Sequence, residues 1–295
     1  MARVSLDHIN SADKSAFIAA LADIFEHSPW VAEAIFAERP FQTLAALQDA
    51  MSGAVKRAAH EQQVALIKGH PDLAGKAARA GSLTADSIAE QASAGLDRLS
   101  HKEFADFHRL NDAYRTKFGI PFIVCVRRHT KDSILHQFDL RLKNETAVEH
   151  AATLVEIFRI AALRLDQHVD APDRLNVNGR LSTHVLDTHG GRPAAGVMVE
   201  LFEIDDSGEA APIARAITNA DGRTDHPLIA DRPVPIGRYE LRFGIGDDFT
   251  KMKAAPADPP FLDVVPVRFS VAEPEGHYHV PLLATPWSYA TYRGS

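Results

Sequence analysis

Histidine is the most prominent chemically active residue in this sequence, with 15 copies among 295 residues. Its imidazole titrates close to neutral pH, so it is the side chain best suited to proton transfer. Several histidines lie in short segments with other polar groups. These segments are Lys68-Gly-His70-Pro-Asp-Leu73, Leu181-Ser-Thr-His184-Val-Leu-Asp187 and His277-Tyr-His279-Val-Pro-Leu-Leu283. Acids, bases and cations close to these histidines could act together with them.

Two histidines and an arginine in the carboxyl-terminal half could together catalyse a hydrolysis. His184 and His279 can serve as base and acid, and Arg223, in Asn219-Ala-Asp-Gly-Arg-Thr224, can stabilise oxyanion charge. A nearby guanidinium also lowers the pKa of an imidazole and keeps it neutral. Two other interpretations remain open. His277 and His279 are two residues apart on an expected strand and could bind zinc together with His184. Asn219 to Gly222 alone is typical of an ordinary turn.

The amino-terminal half offers a histidine, a carboxylate and arginines. His70 is followed by Ser87-Ile-Ala-Glu90-Gln91, and an arginine could bind a carboxylate through two parallel hydrogen bonds. The alternatives are structural: Ser87 to Glu90 fits a helix capping box, and His70-Pro71 could simply follow a helix that ends at Gly69. Cys125 lies in the apolar run Ile120 to Val126 and is interpreted as a small buried hydrophobic residue.

The elements that must position these groups differ between the two halves. Up to residue 168 the apolar spacing predicts helices, with no convincing strand before residue 178. We expect helices from Ser11 to Phe25, after Ser28-Pro29, from Thr43, from a capping box at Ser100 to Glu103 as far as Gly119, and over about 145–168 with Val148 facing inward.

Short β-rich runs separated by turn residues follow from about residue 178. The expected strands are Leu181–Leu186, Val197–Ile204, Ile213–Thr218, Arg238–Phe243, Val264–Val271, His279–Leu283 and Ser288–Tyr292. Seven or so strands in this length indicate a β-sandwich. The predicted fold is multidomain: an all-α bundle over 1–169, a polar linker at 170–177 and an all-β sandwich over 178–295.

The carboxyl-terminal motifs, closed by Tyr292-Arg-Gly-Ser295, resemble the 5-hydroxyisourate hydrolases, which are transthyretin-like enzymes. The similarity covers essentially all of 178–295 and rests on four motifs in order. The resemblance implies that His184, Arg223, His279 and Ser295 form the catalytic site and that Tyr292 contacts the substrate. It also implies a reaction without metal.

The amino-terminal motifs, together with Lys117-Phe-Gly-Ile-Pro-Phe-Ile-Val124, resemble the all-helical decarboxylases of 2-oxo-4-hydroxy-4-carboxy-5-ureidoimidazoline (OHCU) over roughly residues 7–167. The resemblance implies that His70 is the catalytic histidine and that Glu90 is its acidic partner. Arg164 matches the family's arginine, and Arg159, one turn earlier, is the competing choice. The implied substrate-binding residues are Pro71, Ser87, Gln91, Phe122, Ile123, Val124, Cys125, Val126 and Arg164.

The two resemblances describe consecutive reactions, which end in (S)-allantoin. We expect a bifunctional enzyme of urate breakdown that needs no cofactor or metal, acts on small molecules and forms a homo-oligomer through the sandwich. The alternative is a transthyretin-like ligand-binding module fused to a helical scaffold with one active site or none. The net charge of −7 and the lack of a Lys/Arg cluster argue against nucleic acid. The absence of a long apolar run argues against a membrane span, and the single cysteine favours a cytoplasmic location.

Overall fold

The structure is a computed structural model that describes residues 3–75, 84–251 and 259–294. It divides into two compact units. The first runs from the amino terminus to Arg127 and includes Ser133–Val177, and the second comprises Arg128–Asp132 and the chain from Asn178 onward. Helices dominate the first unit and strands dominate the second, which confirms the predicted order of an all-α and an all-β fold.

Helices account for most of the described residues before residue 169. They are α1 (Leu6–Ser11), α2 (Lys14–Leu21), α3 (Trp30–Ile35), α4 (Leu44–Arg57), α5 (His60–Lys68), α6 (Ala85–Ser93), α7 (His101–Phe118), α8 (Lys131–Arg141) and α9 (Thr146–His168), with short 3-10 turns at Phe36–Glu38 and Val126–Arg128. No helix in the described part of the chain is long and apolar enough to cross a membrane.

Local sequence signals set several of these helix ends. The Thr43 hydroxyl accepts from the Ala46 amide at the start of α4, and Ser100 and Glu103 form the predicted capping box of α7. Gly119 ends α7 with a positive φ of 70°, a conformation that glycine adopts without steric cost. The buried apolar faces of these helices then form one continuous core, which includes Phe17, Leu47 and Phe107.

Four details differ from the sequence-based expectations. Instead of one helix from Ser11 to Phe25, helix α2 begins after its cap Asp13 and ends at Leu21, while α3 begins without a side-chain cap. Val148 on α9 is 57% exposed and not inward. Two short strands, β1 (Val4–Ser5) and β2 (Val169–Asp170), pair in parallel within the first unit. Strands of two residues are too short to show an alternating pattern in the sequence.

The described residues of the second unit form three small sheets built from short strands. The strands are β3 (Gly179–Ser182), β4 (Val185–Asp187), β5 (Arg192–Pro193), β6 (Met198–Ile204), β7 (Ala210–Ile217), β8 (Ile229–Arg232), β9 (Gly237–Gly244), β10 (Val264–Val271), β11 (His277–His279), β12 (Leu282–Thr285) and β13 (Ser288–Thr291), with helix α10 at Ile245–Lys251. The sheet orders are β10-β9-β6-β7, β13-β12-β4-β5 and β11-β3-β8.

Two of the predicted strands are interrupted at the residues of chemical interest. The run Leu181–Leu186 is split between β3 and β4 at Thr183-His184, and the run His279–Leu283 is split between β11 and β12. Strand β3 pairs in parallel with β11, and β4 pairs in parallel with β12. Strands β5 and β8 and helix α10 were not predicted. The breaks place His184 and His279 at neighbouring strand ends, above a core that includes Leu181, Val185 and Leu282.

Candidate active sites

A cavity in the helical unit collects nearly all of the side chains that the sequence singled out there. Counted with its mouth, it encloses about 370 Å³. It is lined by His70, Pro71, Leu73, Ser87, Glu90, Gln91, Phe122, Ile123, Val124, Val126, Ile160 and Arg164. The groups come from the residues after α5, from α6, from the segment after α7 and from α9. Residues far apart along the sequence therefore converge on a single space.

The ring of His70 is buried and fixed in one tautomer. Helix α5 ends at Gly69, as one of the structural interpretations proposed, and His70 follows with its Nδ1 3.0 Å from the carbonyl oxygen of Leu66. A carbonyl can only accept, so Nδ1 carries the proton and Nε2 keeps a lone pair. Burial lowers the pKa of His70 to about 4, despite the opposing effects of the Leu66 hydrogen bond and the Glu26 charge. At neutral pH this histidine is an uncharged base.

Arg164 lies between two buried carboxylates. Its Nε and Nη2 donate to the two oxygens of Glu90 at 2.9 and 3.0 Å, and its Nη1 donates to Glu26 at 2.7 Å. Burial alone would raise the pKa of Glu26, but the charge and hydrogen bond of Arg164 outweigh burial and lower it. For Glu90, burial prevails and raises the pKa. The cluster therefore holds one cation against two carboxylates before any ligand enters.

The hydrogen bonds of Arg164 change its expected role. Its remaining N–H groups donate to the carbonyl of Asp23 at 3.1 Å and to the Ser87 hydroxyl at 3.4 Å. All five guanidinium N–H groups thus have an acceptor within the protein. Arg164 lines the cavity but has no N–H group left to clamp a carboxylate of a ligand. Arg159, the competing choice, pairs with Glu156 and is not among the residues that line the cavity.

Glu90 also differs from its expected pairing. Both carboxylate oxygens accept from Arg164, whereas the partner of His70 is the Leu66 carbonyl. Ser87 and Glu90 do not form a capping box, because α6 is capped one turn earlier by Thr84, whose hydroxyl accepts from the Ser87 amide. Both side chains are therefore available to the cavity from within the helix.

The segment Phe122 to Val126 is held by two charged side chains from neighbouring helices. Arg141 donates to the Ile123 carbonyl at 2.6 Å, and Glu156 accepts from the Cys125 amide at 2.8 Å. Phe122, Ile123, Val124 and Val126 line the cavity, but Cys125 does not. Since its amide is bonded to Glu156, the predicted contact between Cys125 and substrate receives no support from the geometry.

The second cluster lies in the β unit, on one face of the paired strands β3 and β11. In the parallel register His279 lies opposite Ser182, and His277 lies two residues before it on the same face. The Ser182 hydroxyl is 3.0 Å from His277 Nε2 and 3.0 Å from His279 Nδ1. Ser182 lies within the Leu181–Asp187 motif, where the sequence alone assigns it no role. It holds the His279 ring with Nε2 turned away from the hydroxyl.

A tight turn brings Arg223 to His184. Asn219 accepts from the amides of Asp221 and Arg223, as its turn motif predicts, and His184 and Arg223 form an isolated antiparallel bridge. Gly222 has a φ of 71°, and a Cβ there would lie 2.3 Å from the Val185 carbonyl oxygen, so only glycine fits. Burial and then the charge of Arg223 lower the pKa of both His184 and His279. Both rings are neutral at neutral pH.

The end of the chain lies against His279. The Gly294 amide donates to the His279 carbonyl at 2.8 Å, and a Cβ on Gly294 would come within 2.6 Å of the His279 ring. Tyr292 is 58% exposed beside this contact. Ser295 falls outside the described residues. Within those residues no cluster of three or more His, Cys, Asp or Glu side chains is arranged to hold a metal ion.

Comparison with known proteins matches each unit to one family. The family model of the OHCU decarboxylases matches residues 10–166, and that of the HIUase/transthyretin family, named for 5-hydroxyisourate hydrolase and transthyretin, matches residues 181–294. The chain belongs to both families. This confirms the resemblances and the order in which they follow one another along the sequence.

Individual relatives agree with this assignment. Over 116 residues the chain is 57% identical to the 5-hydroxyisourate hydrolase of Deinococcus radiodurans, covering 39% of this chain and 95% of that protein. Over 167 residues it is 40% identical to the OHCU decarboxylase of Halalkalicoccus jeotgali, covering 57% of this chain and 93% of that protein. A crystal structure of (S)-allantoin synthase is 32% identical, with a TM-score of 0.52 over 99% of this chain and 100% of that one.

Proposed function

We propose that the two residue clusters are the two active sites of a bifunctional enzyme of urate breakdown. The chain hydrolyses 5-hydroxyisourate to OHCU in its β unit and decarboxylates OHCU to (S)-allantoin in its helical unit. The product of the first reaction is the substrate of the second. The assignment of individual residues to these steps is our proposal, and it rests on the geometry of the two clusters.

Decarboxylation of OHCU requires a base more than it requires an electron sink. Carbon 4 of the substrate carries a hydroxyl and the carboxylate, and carbon 5 belongs to a C=N bond. When CO2 leaves, the electron pair moves through carbon 5 to the ring nitrogen, which takes up the one proton that the reaction consumes. The enol that remains becomes allantoin when the hydroxyl proton is removed and a proton is added to carbon 5. One neutral imidazole can perform both transfers.

His70 is suited to this role because of its fixed tautomer. Its unprotonated Nε2 accepts the hydroxyl proton and returns it to one face of carbon 5, which would make the product a single enantiomer. The observation that carries this proposal is the hydrogen bond from Nδ1 to the Leu66 carbonyl, and the pKa of about 4 agrees with it. Glu90 and Arg164 fix the polar wall of the cavity, and Arg164 acts as a counter-charge and not as a clamp.

The pairing of Arg164 with Glu26 and Glu90 also favours loss of CO2. A carboxylate in a tight ion pair would be stabilised in the ground state, and this would raise the barrier to reaction. Here the cation is saturated by Glu26 and Glu90, and the cavity also has apolar walls, with Leu73, Phe122 and Ile160. The substrate carboxylate would therefore be better solvated in water than in the cavity, and CO2 is released as a neutral molecule.

The variant His70→Ala tests this assignment. We expect it to stop enzymatic decarboxylation while ring hydrolysis continues at the wild-type rate, since His70 lies in the other unit from the hydrolase residues. Proton and carbon-13 NMR of a reaction started with fresh 5-hydroxyisourate would show OHCU accumulating. Production of (S)-allantoin at the wild-type rate by this variant would contradict the proposed role.

In the β unit we propose that His184, His279 and Arg223 hydrolyse the ring amide. One neutral imidazole removes a proton from water as it attacks the carbonyl carbon and then, as an imidazolium, delivers that proton to the departing ring nitrogen. The other neutral imidazole orients the water, and Arg223 stabilises the oxyanion. The new acid ionises, so a proton leaves the site overall. The lowered pKa of both histidines supports this scheme, because a base must be unprotonated at neutral pH. Ser295 is proposed to belong to the catalytic site, and Tyr292 is proposed to contact the substrate.

The presence of these residues favours an enzyme over a ligand-binding module. A carrier needs no neutral imidazole pair beside an exposed arginine such as Arg223. Replacing His184 or His279 by Ala should abolish hydrolysis and leave decarboxylation of preformed OHCU intact. If both variants hydrolysed 5-hydroxyisourate normally, the β unit would have to be interpreted as a binding module.

We further propose that the enzyme is a homo-oligomer joined through its β unit. Strand β13 is the end strand of its sheet and all four of its residues are exposed, as are the neighbouring Trp287 and Tyr292. An uncovered edge strand of this kind is normally paired in the native assembly. We also propose domains at 1–169 and 178–295 with a linker at 170–177. A cytoplasmic location is proposed from the single cysteine, which cannot form an intrachain disulfide.

A further inference from the structure

Glu26 is a buried carboxylate that no sequence motif marks, and it does more than neutralise Arg164. It follows α2, its side chain is 1% exposed, and it is not among the residues that line the cavity. One oxygen accepts from Arg164 at 2.7 Å. The other accepts from the hydroxyl of Thr84 at 2.9 Å and from that of Ser87 at 3.1 Å. Glu26 thus links Arg164 by hydrogen bonds to the Ser87 hydroxyl, and Ser87 lines the cavity.

The direction of these hydrogen bonds determines what Ser87 can offer a ligand. Arg164 can only donate, and an ionised Glu26 can only accept. The single proton of the Ser87 hydroxyl is therefore directed to Glu26, and one of its lone pairs receives the weak 3.4 Å bond from Arg164. What remains is one lone pair, so Ser87 presents an acceptor to the cavity.

The neighbouring Gln91 presents the opposite polarity. Its side-chain oxygen accepts from the Ala74 amide at 3.0 Å, which fixes the orientation of the side-chain amide and leaves its NH2 group as a donor. Both residues lie on α6, four positions apart, and therefore on the same helical face. A ligand that bridges them needs an N–H group at the Ser87 end and an oxygen at the Gln91 end, a pairing that a ureido group or a ring amide supplies.

We infer that Glu26 is a positioning residue that fixes Ser87 as a hydrogen-bond acceptor for an N–H group of the decarboxylase substrate. This inference rests on the proposed decarboxylase site. It adds to that proposal a residue outside the cavity that sets the hydrogen-bond polarity of its wall, and so determines which face of a ureidoimidazoline fits.

The substitution Glu26→Gln tests the inference because it reverses the direction of the hydrogen bond between residue 26 and the Ser87 hydroxyl. Arg164 needs an acceptor, so the amide oxygen of the new side chain will face Arg164 and its NH2 group will face Thr84 and Ser87. Ser87 must then accept from that NH2 group, and its own proton turns toward the cavity, where it opposes the substrate N–H. We expect KM for decarboxylation to rise about tenfold or more. We expect kcat at pH 7.5 to change by less than about threefold, because His70 stays neutral.

A double-mutant cycle separates this role from general damage. Ser87→Ala removes the acceptor without adding a competing donor, so it should raise KM less than Glu26→Gln does. In the Ser87→Ala background, Glu26→Gln has no hydroxyl to reverse. The double variant should therefore match Ser87→Ala and bind substrate better than Glu26→Gln alone. A purely structural role for Glu26 predicts the opposite, with the double variant worse than either single one.

Controls are available in the same chain. Glu33→Gln replaces an exposed carboxylate that pairs with Lys14, and should leave both activities unchanged. The rate of 5-hydroxyisourate hydrolysis, together with the far-ultraviolet circular dichroism spectrum, reports the amount of folded protein in each sample. A wild-type enzyme without decarboxylase activity would overturn the proposed function itself. An active wild type whose KM does not change in Glu26→Gln would overturn only the role of Glu26.

A crystal structure of the wild-type protein with (S)-allantoin would test the same point without a substitution. The inference predicts that Ser87 Oγ lies within hydrogen-bond distance of a ligand nitrogen. A contact between Ser87 Oγ and a carbonyl oxygen of the ligand would require the hydroxyl to donate into the cavity, and would overturn the inference even if Glu26→Gln did not fold.

Discussion

The low pKa of His70 makes a quantitative prediction about decarboxylation at acid pH. Burial lowers this pKa from 6.5 to about 4, and the groups that surround it pull in both directions: Glu26 raises the pKa, while Arg164 and His27 lower it. A base with a pKa of about 4 is still roughly 97% unprotonated at about pH 5.5, whereas an ordinary histidine is only about 9% unprotonated there. At about pH 5.5 an enzyme whose base has the lowered pKa should therefore have a kcat/KM about tenfold higher than one whose base is an ordinary histidine.

The assay should follow (S)-allantoin by circular dichroism, because the uncatalysed reaction gives a racemic product with no signal. Preformed OHCU is added to wild-type enzyme in constant-ionic-strength buffers from pH 4 to pH 8, and the far-ultraviolet spectrum confirms folding at each pH. We expect kcat/KM to stay level down to about pH 5 and to fall only as the pH approaches 4. A tenfold loss between pH 7 and pH 5.5, with the protein folded, would refute the proposal that a buried neutral His70 is the base.

Further predictions concern the hydrolase and the assembly. Deleting Tyr292 to Ser295 should abolish hydrolysis and spare decarboxylation, and wild-type hydrolysis by the truncated protein would exclude a catalytic role for these residues. Gly294→Ala should slow hydrolysis on the order of 10²-fold, because its Cβ would displace the His279 ring. Dialysis against a chelator should leave both rates unchanged, whereas loss of activity restored by stoichiometric zinc would revive a site at His184, His277 and His279. Multi-angle light scattering should give a dimer or tetramer, and a fully active monomer would refute assembly through β13.

The features that could be predicted from the sequence are those with a local signature. Thr43, the Ser100–Glu103 capping box and Gly119 marked helix ends correctly, because each acts on backbone groups within a few residues. The turn at Asn219 could also be predicted, because its side chain bonds to amides only two and four residues away. The His70, Ser87 and Glu90 segments were identified by resemblance, and the structure then brought them to one cavity.

Long-range hydrogen bonds explain most of what the sequence could not show. Glu26 and Arg164 are 138 positions apart, and nothing near Glu26 distinguishes it from a surface carboxylate. The same bonds saturate Arg164, so a residue type typical of a carboxylate clamp serves here as a counter-charge. Ser182 belongs to the Leu181–Asp187 motif, but its link to two histidines depends on the parallel pairing of β3 with β11. Pairings between distant strands have no signature in the local sequence.

One chain converts 5-hydroxyisourate into (S)-allantoin through two separate sites. The most direct test supplies freshly generated 5-hydroxyisourate to the purified wild-type protein and records carbon-13 NMR and circular dichroism together. Transient OHCU followed by optically active (S)-allantoin, both faster than in buffer alone, is the predicted result. A racemic product that forms at the spontaneous rate after rapid ring opening would contradict the decarboxylase assignment, and ring opening at the spontaneous rate would contradict the hydrolase assignment.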